Sequence, residues 1–261
     1  MKKKIKIVDV LLVVLIGILL FSGYKLIKIK QESDTIETQF EKLEQIIQTE
    51  ETTDEIYSTA KEKYQSVYDI NNHFIGWIFL PDTALNYPVM QTKDSPEYYL
   101  RRDFEGKYSS YGVPFMDYKC TVDESDNIII YGHNMTNGTM FSAVTQYSNK
   151  QYWENHRYIG FDTMNGFGTY EVAIHGLIDL KTTDFNYIAD VDFTRKEHFD
   201  SYIAQAKQYQ MYDTGVSLEY GDKLLLLSTC QTGNDDGRHI IIAKKISDDD
   251  LSRVVPYTTN K

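Results

Sequence analysis

The 261-residue chain reads as a mainly β domain with added helices, carried behind one N-terminal apolar helix. Three observations give that class. Short apolar runs bounded by turn-forming residues recur along the chain, two stretches show helical spacing instead, and a lysine-flanked apolar run opens the sequence. A hydrophobic content of 42% suits a packed core. A segment of about 190 residues buries roughly 70% of its unfolded surface, so it needs no disulfide staples.

The opening run lies between Lys2, Lys3, Lys4 and Lys6 on one side and Lys25, Lys28 and Lys30 on the other. From Val8 to Tyr24 it is near the lower length for spanning a bilayer, with Asp9 at the edge where it reaches the interface. No small-x-small cleavage site follows, so residues 8–24 are expected to be an uncleaved transmembrane anchor rather than a signal peptide. Membrane lipid is then a partner, and the positive-inside bias makes residues 1–7 cytoplasmic. Charge divides at the same place: residues 1–30 carry net +6 and residues 31–261 net −17. That acidity argues against nucleic acid as a partner of the outer part and is otherwise a statement about solubility.

Residues 31–68 contain neither Gly nor Pro, and Ile36, Phe40, Leu43 and Ile47 are spaced as one apolar helix face. The repeat is too short for a coiled coil, so residues 25–70 are expected to form a helical stalk or N-terminal helices. Strand signals then take over: Phe74–Leu80, a turn at Pro81-Asp82-Thr83, Leu85–Met90, Asn127–Tyr131 and Thr169–Ile178. The many tyrosines fit half-buried strands better than a ligand platform. Thr194-Arg195-Lys196-Glu197 has the spacing of a capping box, and Phe199, Ile203 and Ala206 supply the stripe of the helix that follows.

The chemistry gathers at Leu224-Leu225-Leu226-Leu227-Ser228-Thr229-Cys230, a continuous apolar run that reads as a buried strand delivering a thiol to its end. A cysteine nucleophile needs a base or a cation nearby. The polar stretch Gln231–Gly237 reads as a loop, with Arg238 heading a second strand, Ile240–Ala243. His133 leaves the strand Asn127–Tyr131 after Gly132, a position that distinguishes it from His73, His156, His175, His198 and His239. His239 adjoins Arg238, so on a strand it faces away from it. No histidine pair has metal-ligand spacing with a carboxylate or cysteine partner, so no metal and no cofactor are expected. Cys120 is expected to be a small apolar residue or an exposed spectator.

Leu-Ser-Thr-Cys at 227–230 with Arg238, and Tyr131-Gly132-His133-Asn134-Met135 upstream, resembles the sortases of Gram-positive surfaces. Ile75-Gly76-Trp77-Ile78, Asn86-Tyr87-Pro88-Val89, Tyr98-Tyr99-Leu100 and Gly138-Thr139-Met140-Phe141 are similar to class B in particular, and the likeness runs from about Asn72 to Ile246. It implies a sortase-like closed β-barrel, N-terminal helices before it, and a long helix inserted before the cysteine strand, with 71–261 as the catalytic domain. The connection carrying that helix is expected to form one wall of the substrate groove. The implied activity is that of a membrane-anchored cysteine transpeptidase. Cys230 would attack the carbonyl after Thr in the C-terminal sorting signal of a secreted protein, an Asn-Pro-x-Thr-like signal or, as in some members, a Ser-Pro-x-Thr-Gly-like or other one, giving a thioacyl-enzyme. An amine of a cell-wall precursor or peptidoglycan, or a pilin lysine, would resolve it. His133 would be general acid and then base, and Arg238 would hold the substrate backbone or the oxyanion. Ser228, Thr229 and Gln231 would bind substrate, the Gln231 N–H as an oxyanion donor. Several class B members carry an acidic residue directly after the cysteine; here it is Gln231, and Asp235 and Asp236 read as solvated loop charges. Two other readings use the same residues. A surface cysteine peptidase would hydrolyse peptides with Cys230 and His133, though such enzymes orient the histidine with Asn or Asp rather than arginine. A non-catalytic adhesion module would leave the cysteine, histidine and arginine without purpose.

Overall fold

The computed structural model describes residues 7–51 and 59–247. Residues 1–6, 52–58 and 248–261 lie outside the described residues, and with them most of the expected cytoplasmic segment, part of the stalk and the end of the domain. The chain forms two compact units, residues 1–42 and 43–261.

The first unit belongs to helix α1 (Ile7–Glu51), which continues unbroken across the expected boundary between anchor and stalk. No proline interrupts it, and the residues beyond Tyr24 are mostly good helix formers. Its apolar residues from Val10 to Phe21 are exposed, and it is long and apolar enough to cross a membrane.

In the second unit Leu43 and Ile47, at the end of α1, are buried. Helix α2 (Ala60–Ile70) starts with a reciprocal cap: the Glu62 N–H donates to Thr59 Oγ1 and the Thr59 N–H to Glu62 Oε2, each at 3.2 Å. The Tyr64 hydroxyl donates to the buried Asp162 carboxylate at 2.7 Å, joining α2 to the sheet.

That sheet is a closed barrel of β1 (Phe74–Phe79), β2 (Asn86–Met90), β3 (Phe115–Met116), β4 (Asn127–Tyr131), β5 (Tyr158–Thr163), β6 (Thr169–Asp179), β7 (Leu224–Gln231) and β8 (Asn234–Lys245), in the order β1-β2-β3-β4-β7-β8-β6-β5. Two short helices, α3 (Ser142–Gln146) and α4 (Lys150–Asn155), follow β4, and α5 (Lys196–Gln208) precedes β7. Ile128–Ile130, Leu224–Leu227 and Ile240–Ile242 are all buried, as expected of neighbouring strands covered on both faces. The β4–β7 pair is parallel and β7–β8 antiparallel. The exits of β4 and β7 therefore lie at one end of the barrel.

Two local expectations are corrected. Helix α5 is capped by Arg195 with no side-chain bond, so Thr194 and Glu197 form no capping box. Phe193 sets the start instead: its N–H donates to Asp126 Oδ2 at 2.8 Å and its ring packs edge-on to Phe199. Glu197 thereby falls one residue too early to reach back. The polar loop expected over Gln231–Gly237 is a tight hairpin, because Gln231 pairs with Asn234 and β8 already runs through Arg238. Gly233, at φ +80°, makes the turn in a conformation few other residues adopt.

Candidate active site

The last β4–β7 pair is Tyr131 with Ser228. Beyond it the chains stay side by side: the Gly132 N–H donates to Ser228 O at 3.2 Å, and the Thr229 hydroxyl to Gly132 O at 2.7 Å. His133 and Cys230 each come two residues after the paired positions, so the parallel register brings them level. Cys230 is the direct cross-strand partner of Arg238, and such partners share a face of the sheet. The three side chains line one cavity of about 440 Å³. His239 occupies the opposite face, with its Nδ1 3.2 Å from His175 Nε2.

Cys230 is exposed and free, whereas Cys120 is free and buried. The Cys120 sulfur lies 3.4 Å from Asn127 O and from the Ile129 N–H, and burial pushes its thiol up to about 11. It is the apolar filler rather than the exposed spectator. His133 Nε2 lies 2.8 Å from the Leu100 carbonyl. A carbonyl only accepts, so Nε2 carries the proton and Nδ1 is the free nitrogen of the neutral ring. Burial holds the His133 imidazole below its ordinary value; the Leu100 bond opposes this and the Arg101 charge reinforces it. Neutral imidazole is thus the favoured form at neutral pH. Gly132 is required by close approach: a Cβ there would sit 2.5 Å from the Phe141 ring. Arg238 uses Nη1 to hold the carbonyls of Asp235 and Gly237, both at 2.8 Å. Its remaining N–H groups are free of those bonds.

A family model described as the sortase domain matches residues 78–246. The chain belongs to the sortase family. It is 30% identical over 240 residues to sortase B of Listeria monocytogenes serovar 1/2a, covering 91% of this chain and 96% of that one. Against sortase B of Staphylococcus aureus NCTC 8325 the identity is 31% over 248 residues, 94% and 98% of the two chains. The solved Staphylococcus aureus sortase B–substrate complex superposes with a TM-score of 0.75 at 28% identity, covering 84% of this chain and 99% of the other. These likenesses place the sortase in class B, whose members are cysteine transpeptidases that attach surface proteins.

Of the residues singled out in the sequence, Ser228, Thr229, Cys230, Arg238 and His133 line the cavity of this sortase. The Gln231 side chain is not among the lining residues; it folds back over Gly237, where a Cβ would meet its Oε1 at 2.2 Å. Three further residues contribute, and although Leu100 and Asn134 stand in the family-like motifs, nothing in the sequence assigns any of the three a role at the site. Tyr187 lines the cavity, shares a 3.0 Å hydrogen bond with Ser228 Oγ, and is held from behind by the Tyr202 hydroxyl of α5 donating to its carbonyl at 2.8 Å. Burial raises its hydroxyl, against the bond to Ser228 and the Arg238 charge, so it stays a neutral phenol. Leu100, the last residue of the Tyr98-Tyr99-Leu100 motif, orients His133 through its carbonyl, a role the motif does not announce. Asn134 Nδ2 donates to Cys230 O at 3.1 Å and Thr232 Oγ1 at 3.0 Å, tying the histidine loop to the cysteine hairpin. Leu180, Tyr187 and Ile188, from the β6–α5 connection, form the cavity wall that the resemblance implied.

Proposed function

We propose that this class B sortase cleaves a C-terminal sorting signal after Thr and transfers the secreted protein that bears it to an amine of a cell-wall precursor or peptidoglycan, or to a pilin lysine. The observation that carries the reading is the exposed Cys230 thiol in one cavity with His133 and Arg238. The Cys230 thiol gives its proton to the free Nδ1 of His133 as its sulfur attacks the Thr carbonyl carbon. As the C–N bond breaks, His133 Nδ1 gives a proton to the leaving amine, and a thioester remains. The acceptor amine then attacks that thioester, His133 Nδ1 takes its proton, and the C–S bond breaks to return the thiol. The N–H groups of Arg238 not bonded to Asp235 and Gly237 serve the substrate backbone or the oxyanion, together with the Gln231 N–H, while Ser228 and Thr229 shape the acyl site. Helix α1 anchors the enzyme in the membrane lipid over 8–24, with the N-terminus cytoplasmic, 25–70 as stalk and N-terminal helices, and the catalytic domain, 71–261, outside.

Mass spectrometry of the enzyme with a library of sorting-signal peptides, with and without a glycine or diaminopimelate peptide, tests the reading. The expected product is cleaved after Thr with the amine incorporated, and Cys230→Ala abolishes it. Water incorporated whatever amine is offered would make the enzyme a peptidase in function, and a product that survives Cys230→Ala would remove the nucleophile.

A further inference from the structure

The cavity around Cys230 is lined by two stretches of chain besides the strands and the residues next to them. Leu180, Tyr187 and Ile188 line it from the β6–α5 connection, and Pro96, Glu97 and Leu100 line it from the turn that orients the histidine. In that turn Glu97 O accepts the Leu100 N–H at 3.0 Å, and Leu100 O in turn holds His133 Nε2. Glu97 therefore stands on the histidine side. It is exposed and lines both the active-site cavity and an adjoining open cleft, bounded also by Ser95, Pro96, Tyr98 and Arg102.

The other carboxylate of the cavity, Asp117, is buried and committed, accepting the Tyr131 hydroxyl at 2.7 Å and the Lys119 N–H at 2.9 Å. The Glu97 carboxylate has neither a hydrogen bond nor an ion pair among the described residues, and it does not cap the short 3-10 helix Tyr98–Arg101 that it precedes. The cation of the cleft, Arg102, is engaged elsewhere: its Nη1 donates to Gly106 O at 2.8 Å and its guanidinium lies 4.6 Å from the Tyr98 ring centre.

A transpeptidase must favour an amine over water, and a primary amine reaches the enzyme as ammonium at neutral pH. It has to arrive beside the base that will deprotonate it. We infer that Glu97 is a specificity residue for the second substrate, drawing the acceptor's ammonium group from the open cleft to the histidine side of the thioacyl-enzyme. The inference rests on the roles proposed for Cys230 and His133. Glu97 forms no bond to carbon; it pairs with the cation, and the proton leaves through His133.

The full chain in detergent, supplied with a sorting-signal peptide, is assayed with two acceptors at neutral pH: a cationic glycine peptide, and hydroxylamine, which is largely uncharged there. Wild-type transfer that depends on Cys230 is established first; its absence would remove the proposed function, independently of Glu97. With transfer established, Glu97→Gln raises KM for the glycine peptide about two- to fivefold, the size of an exposed ion pair, and leaves KM for hydroxylamine unmoved. Glu97→Lys raises it further, Glu97→Asp retains most of the wild-type value, and high salt narrows the difference between wild type and Gln. Equal effects of Glu97→Gln on both acceptors would make the residue merely structural, and no effect on either would overturn the inference.

Discussion

Replacing His175 with glutamine exposes an electrostatic cost built in behind the cysteine hairpin. His175 is fully buried on β6, stacked on His239 with ring centres 5.4 Å apart. Its Nδ1 has no hydrogen-bond partner among the described residues. The economical arrangement has the His175 Nε2–H donate to His239 Nδ1 and leaves His175 Nδ1 as a bare lone pair. A second proton on His175 would then be an N–H buried without an acceptor. Burial first, and the neighbouring imidazole second, push His175 down to about 3. The unfolded chain takes up this proton near the ordinary histidine value, so between that value and about 3 the unfolded state binds more protons and stability falls as pH falls. With the unfolded imidazole only half protonated at pH 6.5 and the slope then rising to about 1.36 kcal/mol per unit, acidification from pH 6.5 to 4.5 costs roughly 2 kcal/mol through this group, a large share of a typical folding stability of about 5–15 kcal/mol. Urea unfolding followed by tryptophan fluorescence at a series of pH values measures it. His175→Gln is expected to be less stable than wild type at pH 7 yet to lose about 2 kcal/mol less on acidification, since the other titrating groups are common to both. Parallel losses in the two proteins would refute the reasoning.

Two further outcomes test the site. Arg238→Lys keeps the charge but loses the planar fork, and kcat/KM for a sorting-signal peptide is expected to fall about a hundredfold, the usual cost of one oxyanion donor; an unchanged rate would show that charge alone suffices. Gly132→Ala drives a methyl into the Phe141 ring and is expected to cost about 1–3 kcal/mol in thermal unfolding, with partial recovery when Phe141→Leu makes room.

The elements written in the sequence are those whose burial leaves a local trace. β7 and β4 were legible because strands covered on both faces are continuous apolar runs, and α5 because Phe199, Ile203 and Ala206 mark one face. The start of α5 was not, since a tertiary contact of Phe193 outweighed a good capping sequence. The hairpin after Cys230 reads as a loop in the sequence because Asn234 to Gly237 is polar and turn-prone, and only pairing with β6 and β7 makes it strand.

Of the candidate site, the sequence alone supplied the thiol, the imidazole and the guanidinium, and its motifs supplied the family, because residue identities and short-range spacing carry both. The tertiary structure decided their meeting. His133 comes level with Cys230 only through the parallel register of β4 on β7, which is settled by packing between strands distant in the chain. It also brought in Leu100, Tyr187 and Glu97, whose place at the cavity depends on loops folding back over the barrel end. Such loops follow no period, so nothing local in the sequence announces which of their side chains will face the thiol.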